Sequence, residues 1–135
     1  MSVGLLLITH NRVGDELLGT AMTTLDCCPL PSRVLRVGDT RDLDGLLARA
    51  RALVGELDDG AGVLVLTDIY GSTPSNIATR LLDSDHVIVV SGASLPMLIR
   101  VLNYPALSLT ELANKAVSGG CEGIVMSTQD HRQES

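Results

Sequence analysis

A histidine and an aspartate stand where two apolar runs give out. The run at residues 3–8 passes into Thr9-His10-Asn11-Arg12, and the run at residues 63–66 into Thr67-Asp68-Ile69-Tyr70-Gly71-Ser72-Thr73-Pro74. A third run, residues 87–90, passes into Ser91-Gly92-Ala93-Ser94. An imidazole acts as a nucleophile when one ring nitrogen is kept as N–H and the other presents a lone pair; a carboxylate such as Asp68 supplies that hold. Backbone N–H groups that open a helix, with the Ser72 and Thr73 hydroxyls, make a place for an oxyanion or a phosphate. Together these groups describe attack by imidazole on a phosphoryl group. Each has a plainer explanation when taken singly, since an aspartate ahead of a helix is most often a cap or turn residue. Loops that merely turned, however, would have no reason to share these chemistries.

Other chemistries lack their residues. There is no G-x-S-x-G elbow of a serine hydrolase. The glycine patterns of dinucleotide and P-loop sites are missing too. His10, His86 and His131 are scattered without paired ligand spacing, so neither metal nor cofactor is expected. Cys27, Cys28 and Cys121 are odd in number and include an adjacent pair, which fits neither a disulfide framework nor a zinc ribbon; reduced, buried thiols are the expectation. Ten Lys and Arg against sixteen Asp and Glu give a net charge of −6 with no basic run. Tyr70 and Tyr104 are the only aromatics, so both the charge clusters and the stacking platforms of nucleic-acid binders are lacking. The apolar start has no basic region before it and is no signal peptide. The longest uncharged stretch, residues 87–99, is shorter than the ~18 residues of a membrane span. A soluble cytoplasmic domain is expected.

The elements that must position these residues alternate along the chain. Residues 3–8 are apolar throughout, as in a strand buried on both faces of a parallel sheet. Leu17, Leu18, Ala21, Met22 and Leu25 recur at helical spacing, and residues 33–37 read as a short, more polar edge strand. Leu43, Leu46, Leu47, Ala50, Leu53, Val54 and Leu57 mark a second amphipathic helix, closed by Asp58-Asp59-Gly60. Residues 63–66 and 87–90 are further buried strands. Pro74 suits the first turn of a helix running to about residue 82, and Pro96 the start of another at residues 95–102. A helix at residues 110–117 is stopped by Ser118-Gly119-Gly120, and residues 123–127 form a last short strand. No repeat or linker divides the 135 residues; one domain over residues 1–128 and a flexible tail at 129–135 are expected. The class is α/β, doubly wound, with a mainly parallel sheet, helices on both faces and right-handed crossovers. Ligands of such folds bind outside the carboxyl ends of the strands, near a topological switch point. His10 and Asp68 fall at that edge, and His86, which precedes its strand, falls at the other.

Three segments carry a likeness to a known family. They are Ile8-Thr9-His10 with the Glu16-Leu17-Leu18 helix, Leu66-Thr67-Asp68-Ile69-Tyr70-Gly71-Ser72-Thr73-Pro74-Ser75-Asn76-Ile77-Ala78, and Ser91-Gly92-Ala93-Ser94-Leu95-Pro96-Met97-Leu98. In order and spacing, over essentially the whole chain, they resemble the enzyme IIA component of the mannose-type bacterial phosphotransferase system. The resemblance implies that His10 accepts the phosphoryl group, that Asp68 orients it, and that Gly71, Ser72 and Thr73 hold the phosphate. Arg12, Tyr70 and Met97 flank the site as docking candidates. It further implies a relay from the histidine-containing phosphocarrier protein to a IIB component, with the membrane reached only through IIC and IID components. It implies a homodimer too, in which the strand at residues 123–127 pairs with the neighbouring subunit. Asn11 stands where the family often has Gly, Gly71-Ser72-Thr73 where it has Gly-Gly-Ser, and Ser75 where Phe occurs; these departures bear on partner identity more than on the chemistry.

Rival readings share parts of this pattern. The same histidine would serve a module that donates phosphate to a dihydroxyacetone kinase, or a free-standing regulatory phosphocarrier. A non-enzymatic flavodoxin-like binding module leaves the His10/Asp68 pairing unexplained. A receiver-like domain would phosphorylate Asp68 instead, and needs Mg²⁺ and further carboxylates where Thr9-His10-Asn11 stand.

Overall fold

The apolar stretch near the N-terminus forms β1 (Gly4–His10), an inner strand of the sheet in a computed structural model that describes residues 1–27, 29–39 and 41–129. It pairs in parallel with β2 (Ser32–Val37) on one side and with β3 (Val63–Thr67) on the other, and β3 pairs in parallel with β4 (Val87–Ser91). The sheet order is β2-β1-β3-β4, which leaves the polar strand β2 at one edge as its sequence suggests. The doubly wound α/β class is thus observed.

Alternation along the inner strands splits the core in two. Leu5, Leu7, Leu64 and Leu66 pack with α1 (Val13–Leu25), α4 (Leu95–Leu102) and α5 (Leu109–Glu122). Leu6, Ile8, Val63 and Val65 pack against α2 (Leu43–Leu57) and α3 (Thr73–Thr79), which a 3-10 turn, Arg80–Asp83, prolongs. Each fully buried leucine or isoleucine contributes about 1.5–3 kcal/mol, so the strands that end in His10 and Asp68 rest on a firmly held base. From β1 the chain winds outward to β2; from there it crosses to β3 and winds the other way. The switch point lies between β1 and β3.

Three expectations need correction. The Ser118-Gly119-Gly120 stop is not obeyed, because α5 runs to Glu122. Gly119 is needed for packing: a Cβ there would stand 2.5 Å from Arg100 Cβ, so the glycine lets α5 lie close on α4. Residues 124–128 have no regular structure in the single chain, and Ile124, Val125 and Met126 are exposed. Cys27 and Cys121 are exposed rather than buried. Cys27 follows the left-handed cap Asp26 that ends α1, and Cys121 falls off the buried face of α5 marked by Leu112, Ala116 and Gly119. Cys28 and the tail residues 130–135 lie outside the described residues.

At the amino edge of the sheet, the Asp58 carboxylate accepts hydrogen bonds from Gly60 N–H at 2.9 Å, Gly62 N–H at 3.0 Å and His86 Nδ1 at 3.1 Å. The Gly60 bond leads in holding its pKa below the ordinary 3.8; burial opposes, and Gly62 and His86 reinforce the lowering. A depressed carboxylate stabilises the fold above its unfolded pKa, and that contribution fades as pH falls through the folded value. Asp58→Ala is therefore expected to cost about 1–2 kcal/mol at pH 7, as lost caps do. The gap from the unsubstituted chain should narrow in melts below pH ~4. A gap unchanged across that range would show that the carboxylate charge is not what holds this turn.

Candidate active site

His10 is the last residue of β1, paired with Val37 but two residues beyond the end of the β1–β3 ladder at Ile8 and Thr67. Asp68, the first residue after β3, takes over there. Its Oδ2 accepts from the His10 backbone N–H at 2.9 Å and meets His10 Nδ1 at 2.9 Å. Its Oδ1 accepts from Ile69 N–H at 3.0 Å. Both oxygens are thus committed, and the carboxylate cannot rotate without losing a partner.

Burial works to raise the Asp68 pKa, but the backbone and ring hydrogen bonds from His10, and the His10 charge, outweigh it and hold the group below the ordinary 3.8. Asp68 is an acceptor-only carboxylate at neutral pH, so the ring nitrogen facing it carries the proton. In the neutral ring that arrangement leaves the lone pair on Nε2. The His10 side chain is 39% exposed and that of Asp68 11%, so the ring is partly open to solvent while its anchor stays covered.

Buried hydroxyls brace the strand ends below. Thr67 Oγ1 donates to Ser91 Oγ at 2.9 Å, joining β3 to β4, and Thr67 C=O accepts from Ala93 N–H. Thr9 Oγ1 accepts from Gly14 N–H at 2.7 Å and serves the first turn of α1 in place of a side chain at Arg12, the cap position, which makes no cap bond. Neither threonine stood among the expected site residues. The signal was available: a hydroxyl ending an otherwise apolar strand must find a buried partner.

Gly71, Ser72 and Thr73 lie on the loop that Asp68 begins. Residues 69–72 turn with a Ser72 N–H to Ile69 C=O bond, and Gly71 sits in the third position at φ +85°, which type II turns reserve for glycine. Ser72 Oγ donates to Ile69 C=O at 2.6 Å, so its proton is already used in the turn. α3 opens at Thr73 with Pro74 in its first turn, leaving the usual unbonded N–H groups of a helix start at Thr73 and Ser75.

Of the docking candidates, Arg12 is exposed and lines a groove of about 510 Å³ with Val13, Leu17 and Leu95. Tyr70 is 85% exposed and lines another, of about 660 Å³, with Leu43, Gly71, Thr73 and Arg80. Met97 is 3% exposed and packs in the core, so it is removed from the accessible surface. Met97, Leu98, Val101 and Leu102 are spaced as the buried face of one helix, a pattern that was readable in the sequence.

A comparison with known families decides what this arrangement belongs to. The family described as PTS system fructose IIA component, the mannose-type IIA family, matches residues 4–117. The chain belongs to the mannose-type enzyme IIA family of the phosphotransferase system. Among curated relatives of this IIA domain, the mannose-specific EIIAB component of Escherichia coli is 30% identical over 132 residues, covering 92% of this chain and 39% of the relative. The chain therefore spans about two fifths of the length of the curated relatives it matches. Among solved structures, the mannose/sorbose-specific IIA subunit from Enterococcus faecalis superposes with a TM-score of 0.84 at 24% identity, over 98% of this chain and all of the other. The PTS IIA protein associated with the fucose utilization operon of Streptococcus pneumoniae gives 0.71 at 26% identity, over 87% and 93% of the two chains. Mannose-type IIA components act in sugar phosphotransfer, and the four parallel strands found here are the fold of their solved structures. Among the described residues, no helix is long and apolar enough to cross a membrane.

Proposed function

We propose that the chain is a cytoplasmic phosphocarrier that takes a phosphoryl group on Nε2 of His10 and hands it to a second protein. What supports this most is the His10–Asp68 pair, in which an anchored carboxylate 2.9 Å from Nδ1 leaves Nε2 of the partly exposed ring as nucleophile. In the forward step the Nε2 lone pair forms a bond to phosphorus while the donor's P–N bond breaks, its electrons returning to the donor imidazole. His10 then carries the phosphoryl group with Nδ1–H still bonded to Asp68, whose charge balances the ring. The onward step reverses this: an acceptor nucleophile attacks phosphorus and the Nε2–P bond breaks.

The donor in this reading is the histidine-containing phosphocarrier protein and the acceptor a IIB component, with Gly71 and Thr73 holding phosphate oxygens, Ser72 joining them as its hydroxyl exchanges the bond to Ile69 C=O for one to phosphate, and Arg12 and Tyr70 meeting the partner proteins. Enzyme I, phosphocarrier and phosphoenolpyruvate should label the chain with acid-labile phosphate that chases onto a IIB domain. Transfer onto a dihydroxyacetone kinase module and not onto a IIB domain would assign the other acceptor. Failure to take label from the phosphocarrier would refute the reading.

A homodimer belongs to the same proposal. Ile124, Val125 and Met126 are exposed in succession just beyond α5, and no strand among the described residues pairs with the outer edge of β4. Exposed apolar residues and an unpaired sheet edge are liabilities that strand pairing with a second copy removes. The full chain is expected to sediment as a dimer at micromolar concentration. Truncation after Gly123, which spares α5, should give a monomer that still accepts phosphate. A monomeric full chain would contradict this.

A further inference from the structure

We infer that Asn11, the residue directly after His10, is a positioning residue whose left-handed backbone fixes the imidazole against Asp68; the inference rests on the phosphocarrier reading. Asn11 is exposed and has φ +47°, a region that L-residues other than Asn, Asp and Gly seldom enter. A residue held there without burying its side chain is held for the course of the backbone.

Contacts on every side of the loop show why that course matters. Asn11 N–H donates to Val37 C=O at 3.1 Å, so pairing with β2 continues one residue past His10. Immediately afterwards the chain must reverse into α1, where Thr9 Oγ1 receives Gly14 N–H. Gly14 is closed in: a Cβ there would stand 2.7 Å from Thr9 Oγ1 and 3.0 Å from Val34 Cγ1. Asp15, in the first turn of α1, is gripped by Arg36 of β2 through Nε at 2.7 Å and Nη2 at 3.2 Å. The ends of the loop are thus pinned, and the left-handed step at Asn11 joins them within three residues. On its other flank His10 gives both its backbone N–H and its ring to Asp68. A residue that refuses φ +47° moves the His10 peptide, and both of those bonds depend on it.

Glycine adopts this conformation freely, alanine at a cost, and a β-branched residue hardly at all. Asn11→Gly should therefore transfer phosphate within about 2-fold of the unsubstituted chain. Asn11→Val should lower the first-order transfer rate at saturating phosphocarrier about 10-fold or more while KM moves less than about 2-fold, with Asn11→Ala between them. In ¹⁵N-labelled protein the His10 Nδ1–H signal should persist in Asn11→Gly and weaken in Asn11→Val. Should Asn11→Val fail to fold by circular dichroism, Asn11→Ala against Asn11→Gly carries the comparison. A normal rate in Asn11→Val, or an equal loss in Asn11→Gly, would overturn the inference; the second result would assign the effect to the Asn11 side chain. If the unsubstituted chain takes no phosphate, it is the phosphocarrier reading that fails. The nitrogen spectra then decide this point alone, and unchanged His10 signals in Asn11→Val would sink it.

Discussion

Replacing His10 by Ala is expected to leave a folded chain that carries no phosphate at all. The side chain ends β1 partly exposed, and the backbone pairing of β1 with β2 and β3 does not use the ring. Its removal takes little from the core, so circular dichroism and melting should change slightly. Among the described residues no second histidine stands at this edge of the sheet. His86 sits at the amino edge of the sheet, before β4, with its ring against Asp58. His131 lies outside the described residues. Incubation with enzyme I, phosphocarrier and radiolabelled phosphoenolpyruvate should therefore label the unsubstituted chain and leave His10→Ala blank. Acid-labile label retained by His10→Ala would end the assignment.

Asp68→Asn comes second in size, with an expected slowing of transfer by ~10² or more in a folded protein. The carboxylate meets three donors, His10 N–H and His10 Nδ1–H at Oδ2 and Ile69 N–H at Oδ1. An amide has only one oxygen. With that oxygen toward His10, the amide NH₂ faces the Ile69 N–H and the negative charge that balances a positive ring is gone. With the NH₂ toward His10, it selects the tautomer whose proton sits on Nε2, and the nucleophilic lone pair disappears. Both arrangements impair the same step. Near-normal transfer with a normal spectrum would show Asp68 to be a turn residue.

What could be read from the sequence divides along physical lines. β1, β3 and β4 were legible because a parallel strand covered on both faces is apolar at every position, as Leu5, Leu6, Leu7 and Ile8 are. His10 and Asp68 were legible because polar residues at the ends of such runs can only lie at the sheet edge. The extent of α5 was not, since local preference makes Gly119-Gly120 a stop, whereas these glycines lie close against Pro96, Met97 and Arg100 of α4, a tertiary contact that local preference does not show. Exposure of Cys27 depends on where α1 ends, and the residue type does not tell that. The burial of Met97 follows a helical face that its place in a family-like segment concealed. Asn11 was visible only as a departure from Gly, and its backbone angle gives that departure a meaning: Asn is a side-chain-bearing residue that tolerates the left-handed turn.

The central claim is that Asp68 holds Nδ1 as N–H and thereby makes Nε2 of His10 the phosphorylated atom. A phosphorus–nitrogen correlation spectrum of the ¹⁵N-histidine-labelled, phosphorylated full chain reads that atom directly. The account predicts one phosphoryl group, coupled to Nε2 of His10, with Nδ1 still protonated. Coupling to Nδ1, or to a nitrogen of His86 or His131, would contradict it.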